Sequence, residues 1–203
     1  LFWFIIAHIL LFFYVLASAE TPKNYLKGKF YQSIKNNFLV ATKKMNDPRF
    51  QKTVIIMLES DIDGAWGLVI NKPIGSVPLK MLINVPENKK VLDNIKIPIF
   101  WGGPVDEDRI YILHSNEYES SSTKRFNDIS LSVDYEILYD IAEKKGPKKN
   151  IVILGYSGWG DGQVEGEMEK DHWILSDIDL NTIFDEESNT KWDKAYKNSF
   201  IKI

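Results

Sequence analysis

Ser157, in the run Gly155-Tyr156-Ser157-Gly158-Trp159, stands where a strand-to-helix turn would present a nucleophile. Such an elbow needs glycine two residues beyond the serine to clear the strained turn, and this chain has Trp159 there. The local context fits a nucleophile; the sterics do not. His114 and His172 are the histidines outside the apolar first segment, and His172 with Asp171 or Asp177 supplies the residue types of a triad. One reading is therefore a small serine hydrolase using Ser157 or His114. The other is a serine accommodated in a tight loop.

The run from Gly155 to Gln163 precedes a helical pattern, and free N–H groups at a helix start form a ready cradle for an anion. Neither G-x-G-x-x-G nor a P-loop is present. After Gly160 and Gly162 the third glycine position holds Glu165, no Lys-Ser or Lys-Thr pair follows, and Asp161, Glu165 and Glu167 repel phosphate. Glycines that let a helix pack closely on a sheet account for the run more simply. His114 with Asp106 or Asp108 lacks a paired-histidine spacing for a metal. Glu59, Asp61, Asp63 and Gly64 alternate like the start of an EF-hand loop, but the twelfth position is Ile70 rather than a bidentate carboxylate. No metal and no cofactor is expected.

Binding is the alternative to catalysis. Trp101-Gly102-Gly103-Pro104-Val105 and the Gly155 block each follow an apolar run that reads as a strand, and strand-end turns are where α/β proteins build pockets. From the first block and its neighbourhood, Trp101, Gly102, Gly103, Pro104, His114 and Ser115 are candidate pocket walls. Tyr156, Ser157, Trp159 and Gln163 are the candidates from the second. Trp66, Trp173 and Trp192 are assigned to the core. The pocket requires both blocks on one side of the molecule. It also gives Gly102 and Gly158 a positive φ that valine would strain.

The elements that must position these residues follow from periodicity and punctuation. Phe38 to Ala41, Thr53 to Leu58, Trp66 to Ile70, Ile97 to Trp101, Arg109 to Leu113 and Ile129 to Val133 read as strands, with Asp63-Gly64 as a hairpin turn. Ile151 to Leu154 is a continuous apolar run, hence an interior strand, expected beside Ile97 to Trp101 or Arg109 to Leu113. Asp106-Glu107-Asp108 reads as a solvated turn. Helices are predicted at Pro78 to Ile83, at about Asp134 to Lys145 and at about Gly162 to Lys170. The second of these is capped by Asp134 and ended by Gly146-Pro147.

The 203 residues, 44% hydrophobic and 26% charged, suit one globular domain. A net charge of −3 gives no basic face for nucleic acid, and the lack of cysteine removes disulfides and thiolate chemistry. Residues 1–19 are another material: apolar, without formal charge, and ending in Ala17-Ser18-Ala19, a pattern cut by signal peptidase. As a helix they span about 28 Å, close to bilayer thickness, and lysines from Lys23 to Lys44 follow them. The expected organisation is a signal peptide or membrane anchor over 1–19, a linker over 20–37 and one domain over 38–203. The domain is then exported to the periplasm or membrane-anchored, with a cytoplasmic location as the alternative.

Leu39-Val40-Ala41-Thr42, Asp47-Pro48-Arg49-Phe50, Gly64-Ala65-Trp66-Gly67-Leu68-Val69-Ile70-Asn71-Lys72-Pro73, Gly102-Gly103-Pro104-Val105, His114-Ser115, Gly146-Pro147, Gly155-Tyr156-Ser157-Gly158-Trp159 and Gly162-Gln163-Val164-Glu165 occur in this order. Together they resemble the YqgE/AlgH family, mostly bacterial, over residues 38–203. The resemblance implies an α/β (mixed α+β) fold whose mixed sheet closes into a pseudo-barrel flanked by helices. It implies no settled activity, although one branch is named for regulation of alginate synthesis. Departures include Lys43 in place of a usual proline and Ser157 in place of a common alanine. The expected function is a non-enzymatic binding or regulatory module for a small-molecule or protein partner, with no nucleic acid. The alternatives are a small serine hydrolase and an envelope-associated structural protein.

Overall fold

Strand Asn37–Ala41 (β1) sends Phe38 and Val40 into one buried cluster and Leu39 and Ala41 into another, the period of two expected of a strand covered on both faces. The computed structural model of the chain describes residues 34–199. The leader predicted over 1–19 lies outside the described residues. Strand Val54–Asp61 (β2) divides the same way, with Val54, Ile56 and Leu58 on the first face and Ile55 and Met57 on the second. Asp61 to Gly64 turns it into Gly64–Val69 (β3), the predicted hairpin, and the Asp63 N–H donates to Asp61 Oδ1 at 2.9 Å.

The remaining strands are Pro73–Pro78 (β4), Lys96–Trp101 (β5), Val105–Ser115 (β6), Lys124–Phe126 (β7), Ile129–Ser132 (β8), Asn150–Gly160 (β9) and Trp173–Asp177 (β10). The helices are Leu79–Leu82 (α1), Glu136–Ala142 (α2), Gln163–Glu169 (α3), Leu180–Phe184 (α4) and Lys191–Asn198 (α5), with a 3-10 turn at Glu87–Leu92. The sheet runs β10-β1-β2-β3-β9-β6-β8-β7, and β5 branches from β9 with β4 on its outer side. Among the described residues β5–β9 is the parallel pairing and the others are antiparallel, so the sheet is mixed. It curls into a half-barrel. Lys124 on β7 forms an ion pair with Glu59 on β2, although four strands lie between them in the sheet.

Ile183 on α4 with Trp192 and Ala195 on α5 packs against Phe38, Ile56, Leu68, Leu113 and Ile153 on the inner face. The outer face is covered in two places. Val164 on α3 joins Leu39, Met57, Val69, Trp159 and Trp173, while Leu79 on α1 and Ile137 and Leu138 on α2 join Ile99, Ile112 and Val152. Full burial of such side chains contributes ~1.5–3 kcal/mol each.

Strand β9 changes partner halfway along. Val152 to Leu154 lie opposite Ile99 to Trp101 of β5, whereas Ser157 to Gly160 lie opposite Gly67 to Gly64 of β3. Strand β6 follows its other edge. The interior strand therefore adjoins both predicted neighbours, and the two glycine blocks meet where the sheet forks. The Gly102 N–H donates to the Leu154 carbonyl at 2.7 Å, and the Gly102 carbonyl accepts from the Val69 N–H at 3.0 Å.

Several expectations are corrected here. The Gly155 block is a strand with a kink, not a loop, because Gly155 takes φ 70° and the chain then resumes pairing. Positive φ belongs to Gly103 (149°) and Gly155 rather than to Gly102 and Gly158. Gly102 excludes a side chain because a Cβ there would overlap the Gly155 carbonyl, while at Gly158 only the Tyr156 side chain and Val105 lie near. Asp106 to Asp108 form an exposed irregular stretch inside β6 instead of a turn. In α2 the left-handed residue after the helix is Lys144 (φ 59°), and Gly146 follows it with its N–H on the Asp140 carbonyl. Strand β4, flanked by prolines, was not read as a strand; prolines are tolerated there because β4 is paired on one side only.

Candidate functional site

The hydroxyl of Ser157 is buried and donates to the Gly102 carbonyl at 3.0 Å. It ties β9 to the fork. His114 is fully buried on β6, opposite Asn150 of β9, seven residues before Ser157 and so about 20 Å from it along the strand. Its Nδ1 lies 2.9 Å from the Ser115 carbonyl, which only accepts, so Nδ1 carries the proton and Nε2 accepts from the Ser132 hydroxyl at 2.9 Å. Burial lowers the His114 pKa and keeps the ring neutral. Ser115 turns instead to Glu117, donating at 2.8 Å. Ser132 also meets Thr123 and Ser120, and Ser120 and Ser122 both donate to Asp134, a closed hydrogen-bond network.

The other predicted wall residues divide between two places. Gly102 and Gly103 are buried in the fork, and the Trp101 ring packs against Phe50 at 5.5 Å on the outer face. Pro104 follows the fork, between β5 and β6. Gln163 Nε2 donates to Glu167 Oε1 at 3.1 Å, and Glu167 Oε2 accepts from the indole N–H groups of Trp159 (3.1 Å) and Trp173 (2.6 Å). These contacts brace α3 on the sheet.

A groove of about 730 Å3 opens at one end of the half-barrel, and of the predicted residues Tyr156 and Trp159 line it. Its other walls come from the β2–β3 hairpin, β6, β7 and β8. Trp66, Tyr111 and Tyr156 form an aromatic triad, each pair of rings 5.9–6.1 Å apart and two of the three pairs edge to face. The Trp66 indole N–H donates to Glu59 Oε2 at 2.9 Å, and the second Glu59 oxygen accepts from Lys124. The Lys124 and Trp66 hydrogen bonds hold the Glu59 carboxyl below its ordinary pKa. Arg109 stands over the Tyr111 ring at 5.4 Å and makes no ion pair among the described residues. Burial raises the Tyr111 pKa, so its hydroxyl stays a donor across the ordinary pH range.

Six strands supply this groove, and from the sequence Trp66 was assigned to the core and Glu59 to a rejected calcium loop. Tyr111, Arg109 and Lys124 went unmarked. Arg109 and Tyr111 are two apart on β6 and so share a face, which is the local signal present; the rest depends on the curl of the sheet.

A family model described as AlgH-like (DUF179) matches residues 38–203. The chain belongs to the AlgH-like family. A UPF0301 protein of Vibrio cholerae is 39% identical over 170 residues, covering 80% of this chain and 90% of that protein. One from Rickettsia prowazekii is 35% identical over 172 residues, covering 84% and 90%. The solution structure of the AlgH protein from Pseudomonas aeruginosa superposes with a TM-score of 0.67 at 31% identity, covering 83% of this chain and 90% of that one. A crystal structure of protein DIP2367 from Corynebacterium diphtheriae shares the fold at a TM-score of 0.62 and 15% identity, over 83% and 88%. The AlgH-like resemblance and the α/β half-barrel with flanking helices are thus both established. Among the described residues no AlgH-like helix is long and apolar enough to cross a membrane, and no three metal-ligating side chains cluster.

Proposed function

We propose that this AlgH-like chain is a non-enzymatic binding module that takes a small molecule in the groove at the end of the half-barrel. The observation that carries this reading is convergence. An aromatic triad, a fixed ion pair and an arginine without a carboxylate partner among the described residues face one concave space, the composition expected of a small-molecule site. The glycine blocks serve it indirectly by forking the sheet, which sets Tyr156 and Trp159 on the groove wall. The buried hydroxyl of Ser157 and the neutral His114 hold strands together in this reading.

The test is saturation-transfer NMR of metabolite mixtures against the domain and its Tyr156→Ala variant. Metabolites that receive saturation from the wild type and lose it in the variant support the groove. Binding that is indifferent to the change contradicts it.

Residues 1–19 complete the proposal as a targeting segment or anchor separable from the domain. Mass spectrometry of the mature N-terminus with cell fractionation checks this. A cut after Ala19 or membrane association is expected, and an intact leader on a cytosolic protein contradicts it.

A further inference from the structure

Charge is distributed unevenly round the groove. Glu59 is answered by Lys124, and its two oxygens are already used by Lys124 and the Trp66 indole. Asp61 and Asp63 stand exposed at the tip of the β2–β3 hairpin, with Asp61 occupied by the Asp63 N–H. On the facing wall the guanidinium of Arg109 carries a full positive charge with no ion pair or hydrogen bond among the described residues. The Tyr111 ring beneath it and the Tyr156 ring 6.1 Å further on line the same groove, and their hydroxyls also make no hydrogen bond among the described residues. A cation and two hydroxyl donors along one aromatic surface match one kind of ligand.

We infer that the groove receives a planar aromatic ring bearing one anionic group, the ring against Trp66 and Tyr156 and the anion against Arg109 and the Tyr111 hydroxyl. This rests on the groove being the binding site. Three physical points support it. Guanidinium meets carboxylate or phosphate oxygens through paired N–H groups, which a stacked arginine presents without further ordering. Tyrosine hydroxyls donate to an anion without adding charge. Edge-to-face rings leave π surface for a further ring, and such contacts are worth ~0.5–1.5 kcal/mol each beyond area. The acidic hairpin tip repels negative charge placed near it, which leaves the Arg109 side of the groove for the anion.

A carboxylate and a phosphate satisfy the same chemistry, and the probes separate them. Titrations followed by NMR would use benzoate, phenyl phosphate, benzamide, benzylamine and orthophosphate against the wild type, Arg109→Gln and Tyr111→Phe. Arg109 is exposed, so its glutamine variant keeps the fold. Benzoate or phenyl phosphate should bind at least about tenfold tighter than benzamide, whichever is preferred naming the anion, and orthophosphate alone should bind weakly for want of the ring. In Arg109→Gln the anions should weaken by about tenfold while benzamide changes less than about twofold, and Tyr111→Phe should weaken them by a smaller factor. Benzamide or benzylamine binding in the groove as tightly as the better of the two anionic probes would overturn the anion assignment and leave the groove standing. So would anion binding that ignores Arg109. No perturbation of groove residues by any probe would overturn both readings.

Discussion

The Ser157 hydroxyl donates to the Gly102 carbonyl at 3.0 Å, joining the two glycine blocks through a buried contact between β9 and the end of β5. The same carbonyl accepts from the Val69 N–H, so it stays satisfied when the hydroxyl is removed. Ser157→Ala should therefore cost about 1 kcal/mol of stability, the net worth of one ordinary hydrogen bond, and leave ligand binding unchanged. Urea unfolding with a parallel binding titration checks both. Loss of a measurable hydrolysis in the alanine variant, with stability intact, would restore the nucleophile.

Gly103 and Gly155 take φ of 149° and 70°, and a Cβ on Gly103 would overlap the Tyr156 carbonyl. Alanine at Gly103 should cost more than about 2 kcal/mol, since backbone strain and overlap act together. Gly158→Ala should stay within about 0.5 kcal/mol, because that position is exposed and meets only the Tyr156 side chain and Val105. Thermal or urea unfolding of the two variants side by side gives the ordering, and equal stabilities would contradict the fork as described.

How much of this was legible in the sequence depended on range. The interior strand at Ile151 to Leu154 and the Asp63-Gly64 hairpin rest on local patterns, and both stand. The fork does not rest on one. Gly155 to Gly160 has the composition of a loop, and only the approach of Gly102 and β3 turns it into paired strand, a tertiary effect that overrides propensity. The groove was hidden for the same reason. Glu59 and Lys124 lie 65 residues apart in sequence and meet because the sheet curls.

His114 is buried, its ring is kept neutral, and its folded pKa lies below the ordinary value of 6.5. Between these values the unfolded chain binds a proton that the folded chain refuses. The contribution is complete above about pH 6.5 and is lost as pH falls through that value toward the lower folded pKa. Urea midpoints from pH 8 to pH 5 should fall more steeply in the wild type than in His114→Gln, which is less stable at pH 8 but lacks this titration. Parallel slopes would show that His114 titrates alike in both states.

The central claim is that a ligand sits against Trp66, and the indole N–H signals test it most directly. The Trp66 N–H is held by Glu59 at the groove, that of Trp192 by the buried Ala41 carbonyl, and that of Trp173 by Glu167 on the other face. Titration with benzoate or phenyl phosphate, followed by 1H–15N correlation spectra, should move the Trp66 indole signal saturably and leave those of Trp192 and Trp173 in place. A saturable shift at Trp173 or Trp192 with Trp66 unmoved would contradict the account.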